Sequence, residues 1–225
     1  MWGILEIVSR DASVVHIEEL KGEEILVPFR ADMPDIVLQA LIIKAGLDPK
    51  KEFTLRYVPS PPDAMQMLLL RRAKHVLLAE PATSMVMRKT GSFPVSLVAP
   101  SLYRSVNLQH EWGRLFDTAP RIPQAGIAAV GAVDEALVAR FHTAYKEALA
   151  WCQANPEAAG ELVARHIDFF KPEAVADAFV HTQFEARTAK ESQEELEAFF
   201  TILLDIEPKL IGGKLPEEGF YGGGE

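Results

Sequence analysis

The chain has 225 residues, 48% of them hydrophobic and 24% charged, and a formal net charge of −9. That composition suits one large globular domain or two small lobes with a true core. With no basic run longer than two residues, it excludes a nucleic-acid footprint and adsorption to an anionic membrane.

Ile4–Val8 reads as a strand, and Ile17–Glu24 as a turn. Ile25–Val27 is a short β-prone run ended by Pro28. Asp32 and Pro34 signal the start of a helix that Gly46 closes. Phe53–Val58 reads as a strand broken by Pro59, with Asp63 capping the helix that follows. His75–Ala79 reads as a strand stopped by Glu80-Pro81, ATSMVMRK as a short helix, and Val95–Ala99 as a further strand. This alternation predicts a small α/β lobe with a largely parallel sheet. Leu102–Phe116 reads as helical around Trp112, and Ala125–Val130 as a strand. Helices are expected over Asp134–Gln153, Glu157–His166, from Pro172, and over Ser192–Leu204, followed by a tail that ends disordered. The strands near 4–8 and 125–130 stand apart from the alternating block; either they join its sheet or they belong beside strands the chain does not contain.

A strand that feeds a helix through a loop aims backbone N–H groups at one point beyond the strand's end, a common seat for a small ligand. Arg30, Asp32, Met33 and Pro34 occupy such a loop. Arg30 offers a fork for a carboxylate, sulfonate or phosphate, while Asp32 and Asp35 equally suit capping of the helix and pairing with Arg30. Glu80 and Pro81 end another strand; Glu80 reads either as an acceptor for an amine, amide or pyrimidine or as a solvated strand-end carboxylate. Thr83 and Ser60 read as helix caps or ligand donors. Chemistry-bearing motifs are weak. The six histidines show no metal spacing, and no GxSxG, P-loop or dinucleotide fingerprint occurs. The single cysteine, Cys152, allows neither an intramolecular disulfide nor a cysteine-based metal site. No catalytic residue, metal or cofactor is expected.

Several phrases in consistent order carry a resemblance: WGILEIVSRD (2–11), ELKGEEILVPFRADMPDIV (19–37), KAGLDPKKEFTLRYVPSPPDAMQMLL (44–69), LLAEPA (77–82), LQHEWGR (108–114), PRIPQAGIAA (120–129) and DIEPKLIGGKLPEEGFY (205–221). Together they resemble the solute-binding proteins of nitrate/sulfonate/taurine-type ABC transporters, within a group that includes thiamine-pyrimidine precursor proteins. The resemblance implies a periplasmic-binding-protein type II-like α/β fold. Residues 1–14 would be the first crossing between lobes and a remnant of lobe one, and 15–99 the α/β lobe two. Residues 100–130 would be the return crossing, and 131–225 the C-terminal helices of lobe one with the tail. Lobe one would be truncated and helix-rich, because the text starts at the crossing. The resemblance also places Trp2 and Gln124 in the two crossings, where an indole can stack on a flat solute and an amide can read its edge.

The implied function is non-catalytic binding of a sulfonate, nitrate or pyrimidine-like solute by hinge closure, with an ABC permease and ATPase as partners. The alternatives are a thiamine-pyrimidine or desulfinase-type enzyme, or a vestigial or cytoplasmic ligand-sensing domain. The resemblance implies a periplasmic or membrane-anchored location, whereas the terminus MWGILEIVSRD lacks a signal-peptide pattern and reads as cytoplasmic. A truncated lobe would expose apolar surface, so a homodimer is expected.

Overall fold

The computed structural model describes residues 1–92, 101–131 and 133–222. Its strands are β1 (Leu5–Ser9), β2 (Glu24–Pro28), β3 (Thr54–Val58), β4 (His75–Ala79) and β5 (Tyr103–Asn107). Among the described residues the helices are α1 (Met33–Lys44), α2 (Pro61–Leu69), α3 (Ala82–Gly91), α4 (Leu108–Phe116), α5 (Glu135–Ala154), α6 (Pro156–His166), α7 (Pro172–His181) and α8 (Gln193–Ile206). The sheet order is β3-β2-β4-β1-β5. β2 runs parallel to β3 and β4, while β1 runs antiparallel to both β4 and β5. Among the described residues, four strands therefore share one direction and β1 opposes them.

The strand near the N-terminus is thus no orphan: it sits inside the sheet between β4 and β5. Two expectations are corrected. Tyr103–Asn107 is a strand rather than the first turns of a helix; its alternating Tyr-Arg-Ser-Val-Asn pattern pairs with β1, and the helix begins only where Asn107 caps His110 N. Ala125–Val130 forms no strand; its residues are exposed, and without a neighbouring ladder an extended run has nothing to pair with. The strand expected over Val95–Ala99 lies outside the described residues, as do the last three residues of the tail.

Strand alternation divides the core in two. Leu5, Ile7, Ile25, Val27 and Leu77 point to one face, where Val37, Leu38, Leu41, Leu108 and Trp112 cover them. Val8, Leu26, Val76 and Leu78 point to the other, against Ala64, Met65, Leu68 and Val86. α8 joins the first face: Phe199 and Leu203 are in that core, and the Phe199 ring lies 5.5 Å from Trp112. α6 and α7 pack tightly because Gly160 has no Cβ to strike the Pro172 carbonyl. α7 meets α3 through the Arg88–Asp177 pair. α5 buries no residue.

Candidate functional site

Because β2, β3 and β4 run parallel, their C-terminal ends open on one edge of the sheet. Phe29 N donates to Val58 O at 3.1 Å, and Glu80 N donates to Ile4 O at 2.9 Å. The Phe29–Pro34 loop, Ser60 and Glu80–Thr83 therefore stand along the same edge, together with the entry to β1. The segment before β1 is extended beside residues 122–124: Ile122 N donates to Trp2 O at 2.9 Å and Gln124 N to Met1 O at 3.1 Å. A third segment joins them, with Trp2 N donating to Gln183 O at 3.0 Å.

The loop after β2 is unusual in its backbone. Phe29 and Ala31 both have φ of 59°, a left-handed conformation that costs an L-residue and clusters at functional loops. Asp35, buried in the first turn of α1, holds this shape. Its carboxylate accepts from Ala31 N (2.8 Å), Gln39 Nε2 (2.8 Å) and the Tyr57 hydroxyl (3.1 Å). Burial, and then the Asp35 carboxylate, push Tyr57 up to about 12, so the phenol stays a donor. Asp32 caps α1 by accepting from Met33 N at 2.8 Å, with Pro34 inside the first turn. Arg30 does not pair with Asp32. Its guanidinium lies 5.3 Å from the centre of the Tyr57 ring and has no carboxylate partner among the described residues.

The other candidates are held by structure. Ser60, rather than Asp63, is the N-cap of α2; it accepts from Asp63 N at 3.3 Å, and its hydroxyl donates back to the Asp63 carboxylate. Glu80 is buried, pairs with Arg104 and accepts from Ser84 N at 3.1 Å. It is therefore a buried, ion-paired carboxylate rather than a solvated strand end; Ser84 N holds one oxygen, and the other, Oε1, lies beside Arg104 with no hydrogen-bond partner among the described residues. Arg104 also pairs with Glu6 and donates to Ser84 Oγ at 2.8 Å. Two carboxylates thus share one guanidinium, and burial, opposed by Arg104, raises the Glu6 pKa. Pro81 precedes α3 and accepts from Met85 N at 3.0 Å. Thr83 is fully buried, and its hydroxyl has no partner among the described residues.

Trp2 is 5% exposed, with Arg121 and Arg187 lying 4.7 and 5.5 Å from its ring. A flat ligand reaches that ring only if one guanidinium moves. Gln124 is half-buried and donates weakly to Ile122 O at 3.4 Å. Gly3 lets the segment before β1 approach Gln109, whose amide bonds both backbone groups of Leu5 at 3.1 Å.

Sequence reasoning missed Asp35's role as organiser, and missed Tyr57, Glu6, Arg104 and Gln109. The available signal was charge inside strands: Glu6 and Arg104 interrupt short runs that otherwise alternate toward a core.

No family model matches the sequence, and no curated protein does. Solved structures do. An ABC transporter structure from Parabacteroides distasonis superposes with a TM-score of 0.71 at 20% identity, covering 100% of this chain and 72% of that one. The fold is that of ABC-transporter solute-binding proteins. The periplasmic aliphatic sulphonate binding protein of Escherichia coli matches with a TM-score of 0.60 at 16% identity, over 90% of this chain and 61% of that one. The alkanesulfonate-binding protein of Xanthomonas axonopodis, bound to MOPS, gives 0.52 at 12% identity, over 99% and 71%. No helix among the described residues is long and apolar enough to cross a membrane.

Proposed function

We propose that this chain is the solute-binding component of an ABC importer. It would bind a small organic anion without chemistry and present it outside the cytoplasm to a permease driven by an ATPase. The observation that carries the reading is Arg30: an exposed guanidinium without a carboxylate partner among the described residues, held over Tyr57 on a loop with two left-handed residues. Glu80, the acceptor an amine or pyrimidine would need, is buried, and its charge is already balanced by Arg104. The balance favours an anionic head group, with a sulfonate as first candidate and nitrate or a pyrimidine as weaker ones. Met33, Pro34, Ser60, Pro81 and Thr83 would line the same edge, and Trp2 and Gln124 would sit at the crossings that bend on closure. Ligand contacts made on both sides of those crossings would favour the closed state.

A thermal-shift screen with taurine, longer alkanesulfonates, nitrate and pyrimidines tests this. Stabilisation by a sulfonate that Arg30→Ala removes supports it. A shift with pyrimidines alone, or one unchanged in Arg30→Ala, contradicts it. Self-association is the remaining part of the proposal, suggested by the exposed Leu137, Val138 and Phe141 of α5; light scattering that stays monomeric across concentration would refute it.

A further inference from the structure

The solvent side of α5 carries a pattern that solute binding does not use. Leu137, Phe141, Ala144, Ala148 and Trp151 recur at spacings of four, three, four and three, the seam of a two-helix coiled coil. All five are exposed, and the half-buried residues of α5, His142, Leu149 and Cys152, lie off that seam. We propose that two copies of this chain pair through α5, antiparallel and about a two-fold axis. This rests on the self-association proposed above and gives it a surface, a direction and a register.

Three observations select that arrangement. The first is side-chain size. The seam is large at its ends and small in its middle. An antiparallel pair that sets Phe141 against Ala144 of the second copy also sets Leu137 against its Ala148, and Trp151 against the start of its helix. Each large side chain then meets a small one or a helix end, and the two-fold makes every such contact twice. A parallel pair would put Phe141 on Phe141 and Ala144 on Ala144, a crowded layer beside an empty one.

The second is charge. Arg140 and Glu147 are seven residues apart and so share one flank of the seam. Both are exposed, and neither has an ion-pair partner among the described residues. The register that fits the side-chain sizes brings Arg140 beside Glu147 of the second copy, and Glu147 beside its Arg140. Flanking pairs of this kind fix the direction of paired helices. A parallel pair would bring neither residue to an opposite charge.

The third is the remaining flank. Val138 and Tyr145, both exposed, stand there, and the same register places Val138 beside Tyr145 of the second copy. α5 also carries two acids, Glu135 and Glu147, and two bases, Arg140 and Lys146. In a chain of net charge −9, this balanced helix is a place where two copies can meet without repulsion.

The test is sedimentation equilibrium of the full chain over a range of concentrations, with four variants. The parent should form a concentration-dependent dimer. In dilute samples the chain is monomeric, so changes on the seam leave its stability and circular dichroism as in the parent. Ala144→Phe fills the hole that receives Phe141 and should weaken the dimer at least about tenfold. Arg140→Glu and Glu147→Arg each set like charges together and should weaken it at least about threefold, and the double variant should return to the parent value. A dimer indifferent to Ala144→Phe, or a double variant weaker than the singles, overturns this arrangement and leaves self-association to another surface. A parent that stays monomeric at every concentration overturns both. Solute binding is read separately, through Arg30→Ala.

Discussion

The strands and α5 obey opposite rules. Every residue of β1 is buried, and the sheet's two faces are covered by side chains drawn from α1 and α4 on one side and α2 and α3 on the other. α5 is twenty residues long, with a well-formed cap in which Asp134 accepts from Ala136 N at 2.8 Å, yet none of its residues is buried. Phe141 and Tyr145 stack on each other at 6.1 Å rather than on a core. The sheet half is a self-sufficient unit that can hold loops in fixed places. The α5 half is helical from local pattern and capping, with Leu137, Val138, Phe141 and Tyr145 left exposed.

Substitutions sharpen this contrast. Leu77→Ala, at the centre of the first core, should cost about 2–5 kcal/mol in urea denaturation, whereas Leu137→Ala on α5 should change stability by no more than about 0.5 kcal/mol. Equal costs would mean that α5 is packed in solution. Asp35→Ala strands three donors beneath the lip and should cost about 1–3 kcal/mol, with solute binding weakened in the same variant. Binding unaffected at that cost would remove Asp35 from the site and leave it a helix residue only. Ser60→Ala should cost about 1 kcal/mol as a lost cap, and a urea melt of that variant shows whether α2 needs it.

Two buried groups predict the pH profile. Glu6 titrates above the ordinary glutamate value of 4.5 when folded, so the folded state holds a proton that the unfolded state has lost. That contribution is complete below pH 4.5 and disappears as pH rises through the folded pKa. His75 is fully buried against Ser9 Oγ at 2.9 Å, and its pKa is lowered by burial and then by Lys74. The unfolded chain takes up that proton first, so stability should fall as pH drops below 6.5. Glu6→Gln should flatten the first trend and His75→Gln the second, in melts taken from pH 4 to 8.

Much of the fold was legible because its signals are local. The apolar triplet Ile25–Val27 and the block His75–Ala79 are strands as expected, and Gly46 ends α1 with φ 80°. What was illegible depended on partners distant in sequence. Tyr103–Asn107 becomes a strand because β1 lies beside it, nearly a hundred residues away. Asp35 looks like any first-turn carboxylate until Tyr57 and Ala31 are seen to converge on it. Glu80 and Arg104 are unremarkable apart and form a buried cluster with Glu6 only after three strands assemble.

The most direct test of the cleft is a calorimetric titration of an alkanesulfonate into the protein and into Arg30→Ala. Saturable one-to-one binding is expected in the parent chain, with at least about a tenfold loss in the variant, as for a lost charged hydrogen bond. Equal affinity in both would contradict it and put the anion away from the loop between β2 and α1.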